Sequence, residues 1–386
     1  MSNHDNILVA LKRYCDDWPG TSIESGKFIM TMWPSLYCPL NCPHCYLSLS
    51  QRRDKSRLSL ESIQIACRKI RNYYERRNLD CVEIFCYWYG GEPTSMPQEY
   101  FMSAVQLINN EFKNFKVTHG VLSSLVATDK SWFSLIKDVT KGEIETSYDG
   151  DMRGVKYIKK WESKVREAVS CGLNVSTTTV VNRQLVSMGA ENYIDYLVDL
   201  GVTQTGFLPM MKTDHNSNKG KFDLHATSME VYNDFLIDVF DVYMKRKRNG
   251  TKVVEIGEIH KVLQASNYSS LYNIGALVLY LMPNGDMTLT DYDKDDKEFF
   301  QVFGNIVEDD FQAILTSDKR KSWLRKQVRK AGNVECVDCE YSNGCLMEYW
   351  KTNRKDDECF GAKRFCGHVL NNKKALDLNV KYSRPF

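Results

Sequence analysis

Along the first ~210 residues, short β-rich apolar runs trade places with stretches whose apolar positions recur every three to four residues. The first pattern reads as strand and the second as amphipathic helix. Lys27–Trp33 is a short β-prone run. Ser59–Asn78 is helical, with Leu60, Ile63, Ala66, Cys67, Ile70 and Tyr74 on one side. Cys81–Trp88 is apolar and β-rich, Pro97–Phe112 helical, Phe115–Leu122 a strand and Lys130–Val139 a short helix. Glu143–Tyr148 is a strand, and Val155–Cys171 a helix ended by Gly172. Leu173–Val181 is strongly β-branched, Glu191–Leu200 is helical before Gly201, and Val202–Leu208 is a sixth strand. Strand and helix in alternation imply parallel βα units. The fold class predicted is α/β, and six units fit a partial (β/α)6 TIM-like barrel, with its site at the C-terminal ends of the strands.

Beyond the sixth strand, Asp214–Asp223 is polar and reads as a loop over that site. Thr227-Ser228-Met229-Glu230 reads as a capping box. It opens a helix carrying Val231, Phe235, Val239, Phe240 and Tyr243, closed by Lys245–Arg248 and stopped at Gly250. After about residue 270 the character changes. Leu277–Leu281 and Met287–Thr290 form a β-hairpin around Pro283-Asn284-Gly285-Asp286. The boundaries read as an N-terminal extension over 1–24, the barrel over 25–226, a linker helix region over 227–270 and a small C-terminal domain over 271–386.

Composition narrows the class. Of 386 residues, 43% are hydrophobic, enough for a sizeable core. With 51 basic and 49 acidic residues the net charge is +2, which signals neither nucleic acid nor a membrane surface. No stretch of about 20 apolar residues occurs, and Met1–Asp5 has no apolar signal core. Thirteen cysteines in such a chain read as reduced thiols and metal ligands in a cytoplasmic protein.

Three of those cysteines follow the first strand directly: Cys38-Pro39-Leu40-Asn41-Cys42-Pro43-His44-Cys45-Tyr46. Three thiolates spaced C-x3-C-x2-C can hold three irons of a [4Fe–4S] cluster and leave the fourth open. Close-spaced cysteines also bind structural zinc, but zinc knuckles usually pair C-x2-C with a second such pair. The spacing resembles the signature of the radical S-adenosylmethionine (SAM) enzymes. That resemblance implies that the open iron chelates SAM, whose reductive cleavage gives methionine and a 5′-deoxyadenosyl radical. An electron donor such as a flavodoxin or ferredoxin is then implied as a partner.

A second matching segment ends the second strand: Gly90-Gly91-Glu92-Pro93, which in the family contacts the SAM amino group. Ser147-Tyr148-Asp149-Gly150 resembles the family's S-x-D-G, with Ser147 and Asp149 implied near SAM, and Arg153 resembles an arginine that pairs with the SAM carboxylate. Tyr46 stands where an aromatic residue packs on adenine, and Asn182-Arg183 stands where polar contacts to SAM occur; core packing for the first and a solvated loop for the second are the alternatives. Cys86, on the second strand, is either a hydrogen-atom donor, as in radical epimerases, or core.

Cys336, Cys339 and Cys345 form C-x2-C-x5-C and are followed by Cys359 and Cys366. This resembles the SPASM extension of radical SAM maturases, which usually holds two auxiliary [4Fe–4S] clusters. Three of its cysteines are missing, among them those at Thr290 and Tyr349, so the resemblance implies one auxiliary cluster held by Cys336, Cys339, Cys345 and a later cysteine. Cys366 matches the usual gap better than Cys359. A zinc site on the same cysteines is the structural alternative. Asp291 and Asp293 fall where relatives place a general base, within a loop that otherwise reads as acidic surface.

SPASM-type relatives mostly modify ribosomally made peptides by crosslinking, oxidation, epimerisation or excision. The expectation is therefore hydrogen abstraction from an unactivated carbon of a peptide. Against it, 37 residues precede Cys38, too few for the leader-binding domain that some maturases carry. A dehydrogenase, dehydratase or epimerase of an aminosugar or cyclitol is the second reading, and a non-enzymatic metal-binding scaffold the third.

Overall fold

In the computed structural model of the protein, the described residues are 21–40, 42, 44–79, 81–213, 220–265, 274–291, 299–328, 339–341, 345 and 357–372. Asp293 and Cys336 lie outside them, as do 214–219 of the polar loop.

The strands are β1 Lys27–Met32, β2 Glu83–Trp88, β3 Lys116–Val121, β4 Glu143–Tyr148, β5 Asn174–Val181, β6 Gln204–Pro209, β7 Glu255–Ile256, β8 Val278–Leu281, β9 Asp286–Thr290 and β10 Phe300–Asn305. The helices are α1 Leu49–Arg53, α2 Leu60–Arg76, α3 Gln98–Glu111, α4 Lys130–Thr140, α5 Val155–Ser170, α6 Arg183–Met188, α7 Ala190–Leu200, α8 Lys221–His225, α9 Met229–Arg248, α10 Gly257–Ala265, α11 Phe311–Leu315, α12 Asp318–Val328 and α13 Lys363–Asn371. All six predicted strands form, each within two residues of its expected bounds.

β1, β2 and β3 pair in parallel, as do β4, β5, β6 and β7. The two sheets meet at a single parallel bridge, Leu122 with Glu145, and the Ser123 N–H donates to the Glu145 carbonyl at 2.9 Å. The six predicted strands thus make one arc, a partial barrel; among the described residues it does not close. On the far side of β1 the sheet continues as β8, parallel, then β9 and β10, antiparallel, giving the order β10-β9-β8-β1-β2-β3. The predicted hairpin therefore extends the barrel sheet itself. Its turn forms as expected, with Gly285 at φ +89° and its N–H on the Met282 carbonyl.

Side-chain alternation along β2 fixes what each layer sees. Ile84, Cys86 and Trp88 are buried toward the helices, and Trp88 meets Phe101 of α3 with ring centroids 4.8 Å apart. Phe85 and Tyr87 face the barrel interior, where the Tyr87 hydroxyl donates to Glu145 at 2.8 Å. Cys86 belongs to the first set. It is packing material beside Cys67 of α2 rather than a thiol at the mouth of the barrel.

Helix starts follow the capping residues: Ser59, Asp129, Asn182 and Ser228 each accept from a backbone N–H one turn on. The capping box predicted over Thr227–Glu230 is not formed. Ser228 is the cap and Val231 stands at the position where a box needs Glu or Gln. Asp357, far along the chain, instead accepts from the N–H groups of Met229 (2.8 Å) and Glu230 (3.1 Å). A carboxylate there favours the positive end of α9. Arg320 of α12 is fully buried and ties the start of the described chain to the hairpin region, through Glu24 (3.3 Å) and the Gly275 carbonyl (2.9 Å).

His119 of β3 gives the fold a pH dependence. Its Nδ1 accepts from the Trp88 indole at 3.2 Å, and its Nε2 faces Asn109 Oδ1 at 3.0 Å. Burial lowers its pKa from 6.5 to about 4. The unfolded ring takes up a proton near pH 6.5, whereas the folded ring resists until about 4. Its contribution is thus complete above pH 6.5 and is lost as pH falls from there toward 4, at up to about 1.4 kcal/mol per unit. Urea midpoints measured across this window are expected to fall more steeply for the wild type than for His119→Gln; equal slopes would contradict the assignment.

Candidate functional site

The Cys loop is held from beneath by the Gly-Gly-Glu segment. After β1 the chain runs through Trp33–Tyr37 over the end of β2, where the Gly91 N–H donates to the Ser35 carbonyl (3.1 Å) and the Glu92 N–H to the Tyr37 carbonyl (3.0 Å). A Cβ on Gly90, at φ +106°, would stand 2.6 Å from the Ser35 oxygen, and one on Gly91 would overlap the Leu36 and Tyr37 oxygens. The two glycines admit the backbone of the Cys loop. Cys38 is then tied to α1 through its N–H on the Arg52 carbonyl (3.0 Å). Burial pushes the Cys38 thiol up to about 12 and raises Cys42 and Cys45 as well. Backbone N–H groups of Leu40 and Leu47 pull Cys38 and Cys45 partly back.

These cysteines open on a cavity of about 260 Å³ at the C-terminal ends of the strands. Cys38, Cys42, Cys45, Tyr46, Gly90, Gly91, Glu92, Ser147, Asp149 and Arg153 all line it. From β5, β6 and the chain beyond come Thr178, Val180, Leu208–Met211 and Thr213, a mostly apolar wall. The sequence-predicted residues named above therefore share one cavity, whereas that wall and three further features carry no signal in the sequence.

The first is His44. Its Nε2 lies 3.0 Å from Asp149, and Asp149 also pairs with Arg153, whose guanidinium sits over the Tyr157 ring at 4.9 Å. Burial alone would raise the Asp149 carboxyl, yet Arg153 and His44 hold it well below the usual carboxylate range. Among the described residues the buried His44 Nδ1 has no hydrogen-bond partner, which leaves a polar atom on a residue lining the cavity for a ligand. His44 and Asp149 are too far apart in sequence for any local pattern to link them. The second is the pair Ser123–Ser124, which with Thr94 satisfies Glu92: Thr94 Oγ1 donates at 2.7 Å, Ser123 Oγ at 2.8 Å and the Ser124 N–H at 2.9 Å. The third is Tyr89, which accepts from the Tyr46 hydroxyl at 3.1 Å.

Four candidates stand apart from the cavity lining. Pro93 starts the short 3₁₀ turn Pro93–Ser95 that presents Thr94 to Glu92. Asn182 is fully buried, caps α6 through Leu185 and donates to the Asp149 carbonyl at 3.0 Å, so it positions Asp149. Asp291 is buried, and both its oxygens accept from Lys326 Nζ at 2.8 Å; an ion-paired carboxylate outside the lining is not poised as a base. Cys86 faces the helices, as described above.

A second group of thiols gathers on the C-terminal segment. Burial raises the thiols of Cys339, Cys359 and Cys366, and the neighbouring thiols, Cys345 among them, add to it. Their environments differ. Cys359 receives the backbone N–H groups of Lys363 and Gly361, and Cys339 that of Tyr341, which favours a thiolate. Cys366 is buried inside α13 and its thiol donates to the Gly361 carbonyl at 3.7 Å, the posture of a protonated thiol. Gly361 leaves room for Cys345, whose sulfur would stand 2.6 Å from a Cβ there. Among the described residues no three His, Cys, Asp or Glu side chains converge closely enough to share a single ion. A cluster asks less, since each thiolate takes its own iron.

The chain has the fold of the radical SAM enzymes. It is similar to the solved structure of the native anaerobic sulfatase-maturating enzyme anSMEcpe with bound AdoMet, at 18% identity and a TM-score of 0.71, over 90% of this chain and 99% of that one. The form of that enzyme with AdoMet and the Cp18Cys peptide matches at 17% identity and 0.69, over 89% and 96%. Streptococcus suis SuiB bound to its precursor peptide SuiA matches at 13% and 0.56, over 88% of this chain and 74% of that one. No family model matches the chain.

Proposed function

We propose that this protein is a radical SAM enzyme that abstracts a hydrogen atom from a ribosomally made peptide. One observation carries the reading: three loop cysteines, the Gly-Gly-Glu segment and the Ser147–Arg153 segment line a single cavity at the C-terminal ends of the barrel strands. The peptide-bound forms of two similar structures support the choice of substrate class. Cys38, Cys42 and Cys45 would hold the catalytic [4Fe–4S] cluster. When bound, cluster and SAM together supply a one-electron cleavage that leaves a 5′-deoxyadenosyl radical. The protein's part is to bind and orient. Gly90 and Gly91 seat the Cys loop, Arg153 and Asp149 fix the charged end of the cavity, and Tyr46 offers an aromatic face for adenine. The apolar wall from Val180 to Met211 keeps water from the reacting carbon.

For the auxiliary site the reading is Cys336, Cys339, Cys345 and Cys359, with Cys366 as core. Cys359→Ala is expected to lower the iron content of reconstituted protein by about four atoms per chain, whereas Cys366→Ala is expected to keep it. The reverse pattern would assign the ligand to Cys366.

The test of function is anaerobic reconstitution with iron and sulfide, then dithionite, SAM and deuterium-labelled candidate substrates. Deuterium passing from a peptide carbon into 5′-deoxyadenosine supports the proposal. Transfer only from an aminosugar or cyclitol would move the assignment to a small molecule. Failure of iron-loaded protein to cleave SAM with any of them would overturn it.

A further inference from the structure

α1 follows the Cys loop in the chain and buries none of its residues. Leu49 is 46% exposed on it, and Pro39 of the Cys loop is exposed too. The chain from the end of α1 onward carries Arg53, Lys55 and Arg57, all exposed, with Asp54 the one acidic residue between them. Lys55 leans over the Tyr37 ring at 5.6 Å and Arg57 over Tyr100 at 5.8 Å, so both cations are held to this face. The same segment is wired to the thiol loop: the Cys38 N–H donates to the Arg52 carbonyl (3.0 Å), and the Arg52 guanidinium donates to the Cys42 carbonyl (3.3 Å). Arg53, Lys55 and Arg57 are not among the residues that line the cavity.

We propose that α1 and the basic segment after it are the docking surface for an acidic one-electron carrier protein. This rests on the radical SAM reading, which requires one electron per SAM cleaved. The carrier is oxidised by one electron and the cluster held by Cys38, Cys42 and Cys45 is reduced by one; no bond or proton changes hands in that step. A short run of exposed cations suits a transient encounter, in which area is modest and charge sets the association rate. Flavodoxin, acidic and able to reduce by one electron, is the probe.

The experiment compares reconstituted wild type with Arg53→Glu/Lys55→Glu/Arg57→Glu, all three exposed and away from the cavity lining. Reduced flavodoxin is mixed with each, and the bleaching of the cluster's visible absorbance is followed at low and high salt. The variant is expected to be reduced at least about tenfold more slowly at low salt and to lose the salt dependence of the wild type. Dithionite, which needs no docking surface, is expected to reduce both alike and to drive equal deoxyadenosine formation. Equal, salt-independent reduction of both proteins by flavodoxin would overturn the docking surface alone, and so would failure of flavodoxin to reduce either. Absence of deoxyadenosine from dithionite-reduced wild type would instead overturn the reading beneath it.

Discussion

Replacing Cys38, Cys42 and Cys45 together by Ala is expected to abolish SAM cleavage and to leave untouched the iron of the auxiliary site proposed on the C-terminal thiols. The three thiols line one cavity, and burial has raised each of them. A buried thiolate needs a compensating positive charge, which iron supplies in place of the proton. Without them nothing in the loop anchors the cluster, so iron content should fall by about four atoms per chain and deoxyadenosine to background. The folded barrel should persist, since the core that holds it lies between the strands and the helices. Iron analysis and circular dichroism on the same sample separate the two effects. Deoxyadenosine formation by the triple variant would contradict the assignment.

The second large effect is expected from Gly91→Ala. One methyl group there would overlap the carbonyl oxygens of Leu36 and Tyr37, which are backbone and belong to the segment leading into Cys38. The Cys loop must therefore shift. Overpacking of this kind costs about 1–3 kcal/mol, and a displacement of about 1 Å at a reacting centre can cost about a hundredfold in rate. Gly250→Ala is the matched control. Gly250, just past α9, has φ +65° with open space around it, so it should lose about 1–2 kcal/mol from backbone strain and little activity. Thermal melting and deoxyadenosine yield for the two variants side by side check this; equal activities would show that Gly91 does not seat the loop.

The barrel was legible because its strands and helices announce themselves locally. β2 alternates buried and half-buried residues along its length, and Ser59, Asp129 and Gly201 punctuate helices where those residue types should. The candidate site was legible for a different reason: its cysteines and glycines sit in short contiguous segments. What escaped were relations between distant residues. The His44–Asp149 pair, the Ser123–Ser124 support of Glu92 and the Asp357 cap on α9 each join segments that carry no shared pattern. β8 joining β1 escaped likewise, because a hairpin reads the same whether it stands alone or extends a sheet. Asn182 and Asp291 were placed near the cavity by their position after a strand. Parity and pairing decide otherwise, one turning inward to cap α6 and the other engaging Lys326.

In the proposed enzyme the Cys38–Cys45 loop holds a cluster with one iron open to SAM. Electron paramagnetic resonance of the dithionite-reduced protein, recorded before and after adding SAM, reports directly on that iron. SAM is expected to change the signal of the wild type, and the change is expected to be absent from the Cys38→Ala/Cys42→Ala/Cys45→Ala variant. A reduced-cluster signal in the wild type that SAM leaves untouched would contradict it.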